Sequence, residues 1–205
     1  MMFTTTMLSA LLAPLTLAVP TLVFPCSFLS GTPCVCPPGT LYQESITTAV
    51  IGAPASAVAM VMNDFYKTEW LGVVIDTVEG PDNFPALSTR RYRLATRVGT
   101  YKFADKLTFY FVYPDGSFEH KFQQDGPVPF NFVNGTFGGR WATIKGTRVF
   151  ANETLVTLTT YACNTGHPFD FGVFYSKGII NATNILTAAG LVAGVNAGPF
   201  TAQAF

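Results

Sequence analysis

His120 is the residue in this chain whose type and setting best suit chemistry in a buried site. Asp115-Gly116 is a strong hairpin-turn signal. Pairing outward from that turn predicts three facing pairs on one side of the hairpin: Tyr113 with Phe118, Phe111 with His120, and Phe109 with Phe122. Because that side is aromatic and the other is mixed polar, we expect it to face the interior. Burial would lower the pKa of His120, leaving a neutral imidazole for one hydrogen bond, either to a ligand or to a neighbouring protein group.

Asp105 is the second candidate, because the same strand phase carries it inward with Tyr101. An inward carboxylate has to be paired or protonated to be tolerated. Arg90 lies in phase with Tyr92 on the preceding predicted strand and is the expected partner. Two roles therefore stay open for Asp105: a catalytic acid beside His120, or a structural partner of Arg90 at the mouth of a cavity.

Hydroxyl groups and aromatic rings on the same strands could orient and enclose a ligand. Tyrosine hydroxyls can orient a carbonyl group, although buried tyrosines tied to the backbone are at least as common. The predicted ligand contacts are Arg90, Tyr92, Tyr101, Phe109, Phe111, Phe118, Phe122 and Tyr161. The chain has no nucleophile elbow, phosphate-binding glycine loop, dinucleotide fingerprint or paired metal ligands. We therefore predict no cofactor and no metal site.

Composition narrows the class of partner. Lys plus Arg and Asp plus Glu number 12 each, so the chain has no electrostatic footprint for nucleic acid or an anionic membrane. The 205 residues are 49% hydrophobic and include 19 Phe, which indicates one domain with either an apolar cavity for a hydrophobic small molecule or a Phe-rich core. Asparagine and threonine interrupt the uncharged stretch after Lys177, which argues against membrane insertion.

The N-terminal region predicts export. Residues 1–18 resemble a secretory signal peptide, and residues 19–40 form an arm rich in proline and cysteine. Four cysteines fit two disulfides, with Cys163 bonded to Cys34 or Cys36; a zinc site at Cys34-Val-Cys36 is the alternative. Glycosylation sequons begin at Asn134, Asn152 and Asn181. These features predict a secreted or secretory-lumen protein of a eukaryote.

Hydrophobic periodicity places one domain at 41–198, followed by a tail at 199–205. A helical excursion follows the first strand, and a long helix at 168–198 ends at Gly198-Pro199. Alternating patterns predict seven strands: 41–51, 73–78, 89–97, 101–113, 117–124, 137–149 and 154–163.

This order of elements, with the stretches Thr47-Thr-Ala-Val-Ile-Gly-Ala-Pro-Ala-Ser-Ala-Val58 and Val98-Gly-Thr-Tyr-Lys-Phe-Ala-Asp-Lys-Leu-Thr108, resembles the START and polyketide-cyclase (SRPBCC) superfamily. The signal, the arm and the sequons would make the chain a secreted, fungal-type variant. The resemblance implies an α+β helix-grip fold: a seven-stranded antiparallel curved sheet around a long C-terminal helix, with a cavity between them. Members of this superfamily are lipid carriers, receptors, or aromatase and cyclase enzymes, so the resemblance implies a role of one of these kinds.

Two classes of function follow. One is a cofactor-independent cyclase or isomerase that folds a polyketide- or terpenoid-like metabolite, and a cycloaddition is one reaction of this kind. Such catalysis needs mainly shape and one or two hydrogen-bonding groups. The other is a secreted carrier of a lipid or hydrophobic small molecule. A polar histidine and a carboxylate inside aromatic walls favour the enzyme.

Overall fold

The computed structural model describes residues 25–27, 34–96, 99–126, 128–129, 136–166 and 168–205. The predicted signal peptide, much of the predicted arm and the sequon at Asn134 lie outside these residues and stay predictions. Among the described residues, none of the helices is long and apolar enough to cross a membrane.

The described chain forms two α-helices, one short 3-10 turn and nine strands. The helices are α1 (Ala55–Met62) and α2 (Phe171–Ala188), and the 3-10 turn is Glu69–Leu71. The strands are β1 (Leu41–Ile51), β2 (Ile75–Glu79), β3 (Thr89–Thr96), β4 (Gly99–Val112), β5 (Phe118–Gln124), β6 (Val128–Pro129), β7 (Thr136–Phe150), β8 (Glu153–Asn164) and β9 (Ala197–Ala204).

One antiparallel sheet holds all nine strands, in the order β2-β3-β4-β5-β7-β8-β1-β9, with the two-residue β6 paired to β7. The sheet curves around α2, as the predicted α+β helix-grip fold requires. Alternate residues of the central strands are buried on the side of the sheet that carries α2. On β1 these are the buried residues Gln43, Ser45, Thr47, Ala49 and Ile51. We call this side the inner face of the sheet, and the side away from α2 the outer face.

Helix α2 begins at an aspartate cap. The carboxylate of Asp170 accepts a hydrogen bond of 2.9 Å from the backbone N–H of Val173, which satisfies a donor that has no partner within the helix. Gly178 allows the helix to approach the 3-10 turn, because a Cβ there would lie 3.1 Å from both Trp70 and Leu71. The small-residue seam therefore serves close packing against that turn.

The helix ends ten residues earlier than the sequence pattern indicates. Gly190 adopts φ +71°, a left-handed conformation that stops a helix at low cost. The chain then turns back, and the carbonyl of Gly52 accepts bonds of 2.8 Å from the N–H groups of both Ala193 and Gly194. The predicted helix end at Gly198-Pro199 was wrong, because backbone pairing with Gly52 replaces the last helical turns.

The predicted tail is also part of the sheet. Strand β9 pairs antiparallel with β1, with Thr201 opposite Thr47 and their hydroxyl groups 3.0 Å apart. The strand is mostly exposed and carries few branched residues, so its sequence alone gives little strand signal. Backbone hydrogen bonds along β1 hold it there, and two of the nine strands, β6 and β9, were missing from the sequence prediction.

The β4–β5 hairpin forms at the predicted turn but in a shifted register. Gly116, with φ +85°, is the last residue of the turn, which is closed by a 3.0 Å bond from its N–H to the carbonyl of Tyr113. In the hairpin, Val112 instead of Tyr113 lies opposite Phe118. A bulge between Leu107 and Phe109 then restores the predicted phase for the rest of β4.

Two disulfides form in the described chain, and one of them attaches the N-terminal arm to the sheet. Cys36 is bonded to Cys163 on β8, and Cys26 is bonded to Cys34 within the arm. The prediction that Cys163 pairs with Cys34 or Cys36 is confirmed. The long-range bond spans 127 residues and ties the arm to the outer part of the body.

Candidate functional site

Three charged side chains meet on the inner face of the sheet. Arg90 on β3 lies directly opposite Asp105 on β4, and Arg140 reaches the same carboxylate from β7. All three are at most 2% exposed. Alternation along the strands brings them inward, because each sits in phase with buried apolar neighbours. We call Arg90, Asp105 and Arg140 the ionic cluster.

Asp105 is fully bonded within the ionic cluster. Its Oδ2 accepts bonds from Arg90 Nε at 3.3 Å, Arg90 Nη2 at 3.2 Å and the Tyr92 hydroxyl at 3.3 Å. Its Oδ1 accepts from Arg140 Nη2. A carboxylate that accepts four hydrogen bonds, most of them from cations, is held as an acceptor and orders its partners. The structure thus brings Arg90 and Tyr92 to Asp105. The contact with Arg90 is the one expected if Asp105 is a structural partner of that arginine.

The two guanidinium groups differ in how well they are satisfied. Arg90 donates a further 2.5 Å bond to the carbonyl of Phe65 and lies 4.3 Å from the centre of the Phe65 ring. Arg140 packs near the rings of Phe103 and Phe122, at 5.0 and 5.3 Å, but its Nε has no hydrogen-bond partner among the described residues.

Burial and charge set the protonation states around the ionic cluster. Burial raises the pKa of Tyr92, and the neighbouring carboxylate of Asp105 raises it further, so its hydroxyl stays protonated and donates. Burial acts to lower the pKa of Arg140, but the charge of Asp105, together with smaller contributions from Tyr92 and Tyr175, outweighs it and the pKa is raised. Arg140 therefore stays charged.

His120 lies on β5, further along the inner face, and is 1% exposed. Its Nδ1 lies 3.0 Å from Oδ1 of Asn63, the residue that ends α1. Burial lowers the pKa of His120 to about 3, with a smaller contribution from the charge of Arg90. The imidazole is therefore neutral, as the sequence predicted.

The bond to Asn63 selects one tautomer of His120. Because Oδ1 is an acceptor, Nδ1 carries the proton and donates it to this bond, and Nε2 keeps its lone pair. Neither Nε2 of His120 nor Nδ2 of Asn63 has a hydrogen-bond partner among the described residues. The pair thus presents one acceptor and one donor inside an aromatic shell that includes Phe65 and Phe122.

Most predicted ligand contacts share this inner face. The members buried on this face, in addition to His120 and Asp105, are Arg90, Tyr92, Tyr101, Phe118 and Phe122. They lie on the neighbouring strands β3, β4 and β5. The structure brings them into one region.

Phe109, Phe111 and Tyr161 lie elsewhere, and their predicted inward orientation was wrong. Phe109 and Phe111 are 39% and 46% exposed, because the shifted hairpin register turns that half of β4 around. Tyr161 lies on the outer face, where it stacks on Trp141 and donates a 2.6 Å bond to the carbonyl of Ser27 in the arm. The arm, not a ligand, covers Tyr161.

Three polar residues of the region were not identified from the sequence. Arg140 alternates with the buried Ala142 and Ile144, so its inward phase was readable from β7. Asn63 follows the last residue of α1, and only the tertiary fold brings it to His120. Tyr175 on α2 accepts a 2.9 Å bond from Thr160 on β8, which links the helix to the sheet.

Two open pockets occur among the described residues, and neither is lined by the ionic cluster or by His120. One of about 400 Å³ is lined by Asp76, Arg91, Arg93 and Lys102 with a floor that includes Ala104. Another of about 100 Å³ lies between α2 and the start of β9. Aromatic side chains fill the space around the ionic cluster and His120, so a ligand there would have to displace them.

A metal centre finds little support in the described residues. The sulfur atoms of Cys26, Cys36 and Cys163 lie within 4.8 Å of one another, but all three belong to disulfides. A disulfide sulfur is not a thiolate, which is the form that binds zinc. The zinc alternative for Cys34-Val-Cys36 was therefore wrong for the oxidised protein.

The curved sheet and its C-terminal helix define a protein of the helix-grip class. The sequence profile of the START domain matches residues 42–204, and the chain belongs to that family. This match extends through β9, so the final strand belongs to the domain. No curated protein is detectably similar to the chain in sequence.

Solved structures share this fold at low sequence identity. Norcoclaurine synthase from Thalictrum flavum, in complex with dopamine and hydroxybenzaldehyde, has 10% identity and a TM-score of 0.51, covering 73% of this chain and 89% of its own. XoxI from Bacillus cereus has 15% identity and a TM-score of 0.50, covering 72% and 97%. The Zhui aromatase/cyclase from Streptomyces sp. R1128 has 15% identity and a TM-score of 0.45, covering 72% and 84%.

Proposed function

We propose that this chain binds a hydrophobic polyketide- or terpenoid-like metabolite on the inner face of its sheet and acts on it as a cofactor-independent cyclase or isomerase. The observation that supports this most is a set of buried polar atoms without partners in an otherwise aromatic interior. Three of the seven such atoms among the described residues lie near the aromatic rings of this region: Nε2 of His120, Nδ2 of Asn63 and Nε of Arg140. Buried polar groups are nearly always bonded, so these atoms call for a partner that the described chain does not supply.

The chemistry of these atoms favours positioning over proton transfer. With a pKa of about 3, His120 is a weak proton acceptor, so its Nε2 is better suited to accept a hydrogen bond from a substrate hydroxyl. The N–H groups of Asn63 and Arg140 can donate to a carbonyl and draw electron density from it. Holding a folded chain in such a geometry lowers the entropic barrier to ring closure.

Asp105 has a supporting role in this proposal. Its four hydrogen bonds fix Arg90, Tyr92 and Arg140. We therefore place Asp105 as a positioning residue rather than as the general acid considered from the sequence.

The second candidate function is a carrier of a lipid or other hydrophobic small molecule. The same inner face would enclose the ligand, and the partnerless atoms would bind its polar groups without changing it. The aromatic packing around Phe65, Phe122 and His120 serves storage as well as it serves catalysis. Turnover is what separates the two functions.

The neutral fluorescent probe N-phenyl-1-naphthylamine tests binding, and a panel of linear polyene ketones that carry a hydroxyl group tests turnover. We expect saturable binding of the probe, its displacement by panel members, and ring-closed products detected by mass spectrometry. His120→Phe should lower turnover at least about tenfold and weaken binding by no more than about fivefold. Phe111→Ala, a change on the outer face, is the matched control.

Two results would contradict the proposal in different ways. Panel members that displace the probe and return unchanged would favour the carrier. A wild-type chain that binds the probe without saturation would contradict an interior site altogether.

Export is a further part of the proposal. The two disulfides are compatible with an oxidising compartment such as the secretory lumen. Asn152 lies exposed between β7 and β8, where a glycan would be accommodated, whereas Asn181 is half-buried within α2. Expression in a eukaryotic secretion host, followed by mass spectrometry of the medium, tests export; intracellular retention with the N-terminal 18 residues intact would contradict it.

A further inference from the structure

The buried charges of this chain do not balance. Among the described residues, the buried charged side chains are Arg90, Arg140 and Asp105, since His120 is neutral. Two guanidinium groups and one carboxylate leave one positive charge in the interior. A buried charge without a counter-charge is costly, so this interior favours the arrival of an anion.

Arg140 is the less fully bonded of the two buried cations. Arg90 makes two bonds to Asp105 and a third to the carbonyl of Phe65, and its guanidinium lies over the Phe65 ring. Arg140 shares the same carboxylate through Nη2, and its Nε donor has no partner among the described residues. An anion that reached Nε would supply both the missing hydrogen bond and the missing negative charge.

The surroundings of Arg140 specify the rest of such a ligand. Its guanidinium carbon lies 5.0 Å from the ring centre of Phe103, 5.3 Å from that of Phe122 and 6.0 Å from that of Phe171. These rings come from β4, β5 and the start of α2, so they surround Arg140 from both the sheet and the helix. An apolar or aromatic body would pack against them while its acidic group met Arg140.

We propose that the ligand of this inner face carries an acidic group, a carboxylate or a comparably acidic enol, and that Arg140 binds that group. This inference rests on the proposed function for the existence of an interior site, and adds the chemical class of what fills it. His120 and Asn63 would then form hydrogen bonds with hydroxyl or carbonyl groups further along the ligand.

Two probes with the same aromatic skeleton test the charge. The anion 1-anilinonaphthalene-8-sulfonate and neutral N-phenyl-1-naphthylamine differ by one sulfonate group. In the full oxidised chain we expect each probe to displace the other. Arg140→Met should weaken binding of the anion by about 10- to 100-fold, the loss of one charge-assisted hydrogen bond, and change binding of the neutral probe by less than about threefold.

Further variants separate charge from folding. Arg140→Gln keeps a neutral donor and should weaken binding of the anion by a smaller factor than Arg140→Met. It replaces Arg140→Met in the test if that variant does not fold. Arg93→Met removes an exposed cation that is paired with Asp76, and should leave both probes unaffected. Raising the salt concentration from 50 to 300 mM should weaken binding of the anion by less than about threefold, because salt screens buried charge pairs only slightly.

The outcomes for the two proposals are distinct. Saturable binding of the neutral probe, with anion binding that is absent or unchanged in Arg140→Met, overturns the acidic-ligand inference and leaves the interior site standing. Anion binding that responds to Arg93→Met and to salt assigns the anion to the surface and also overturns the inference. If neither probe binds saturably, both proposals are overturned.

Discussion

Single substitutions of Asp105 and Arg140 should change stability by very different amounts, although these two side chains bond each other. We compare Asp105→Asn with Arg140→Met, both at buried positions of the inner face. The first removes the negative charge that two buried guanidinium groups share. The second removes one of those two cations and leaves the other paired with Asp105. The difference between the two tests the charge balance of the interior directly.

Asp105→Asn should destabilise the fold strongly. The carboxylate accepts bonds from Arg90, Tyr92 and Arg140, and an amide can neither balance two cations nor accept through its nitrogen. Breaking a buried ion pair by removing one partner typically costs about 3–5 kcal/mol. For a domain of this size that corresponds to a fall in Tm of roughly 6–20 °C.

Arg140→Met should cost little or stabilise the protein. It leaves Arg90 and Asp105 as a balanced pair and removes a guanidinium whose Nε has no partner among the described residues. The cation–π contacts with Phe103 and Phe122 are lost, but a methionine sulfur makes favourable contacts with the same rings. We expect a change in unfolding free energy within about 1 kcal/mol of zero.

Equilibrium denaturation in urea at pH 7.5, on the oxidised chain, measures both values. Asp76→Asn, which breaks the exposed pair with Arg93, is the control and should change stability by no more than about 1 kcal/mol. If Arg140→Met destabilises the protein as much as Asp105→Asn does, the interior is not carrying an excess positive charge and the reasoning fails.

Two further predictions concern pH and the disulfides. Below its ordinary pKa of 6.5, His120 takes up a proton in the unfolded chain but not in the folded one, whose pKa is about 3, so stability should fall between pH 6.5 and 3. From pH 7.5 to 5 the loss is about 2 kcal/mol, and urea titrations of His120→Gln should lack that part of the slope; an unchanged slope would contradict the buried neutral imidazole. Replacing Cys36 and Cys163 by serine opens a loop of 127 residues and should cost roughly 5 kcal/mol, against roughly 2.5 kcal/mol for Cys26 and Cys34, whose separation is 8. Denaturation midpoints that fall in the reverse order would show that the arm contributes little to the fold.

Local patterns were sufficient for most of the architecture. Alternation in β1, in β5 and in the first part of β8 marks strands with one buried face, and strand existence depends mainly on that periodicity. The apolar period of three and four predicts the helix that becomes α2, although α2 begins at Phe171 and not at Pro168. The same alternation brought His120, Asp105, Arg90 and Tyr92 to one face, because a side chain in a strand points to a face fixed by its position.

Long-range pairing could not be read from the same patterns. Helix α2 ends at Ala188 and β9 forms because Gly52 and β1 offer backbone partners that lie more than 140 residues earlier in the chain. The hairpin register depends on the left-handed Gly116 and on a bulge near Thr108, and a one-residue shift reverses the face of every side chain up to the bulge. Phe109 and Phe111 were therefore assigned to the wrong face, while Tyr101 and Asp105, beyond the bulge, were assigned correctly.

The identity of the inward residues came from the sequence, and their partners came from the tertiary structure. Alternation depends on neighbours along one strand, so it shows that His120 and Asp105 point inward. Hydrogen bonds and charge balance depend on what the other elements bring to the same place. Only the fold sets Asn63 at the end of α1 against His120, and Arg140 from β7 against Asp105. The excess positive charge of the interior arises because the fold brings two arginines and one aspartate together, whereas the whole chain has a formal net charge of zero.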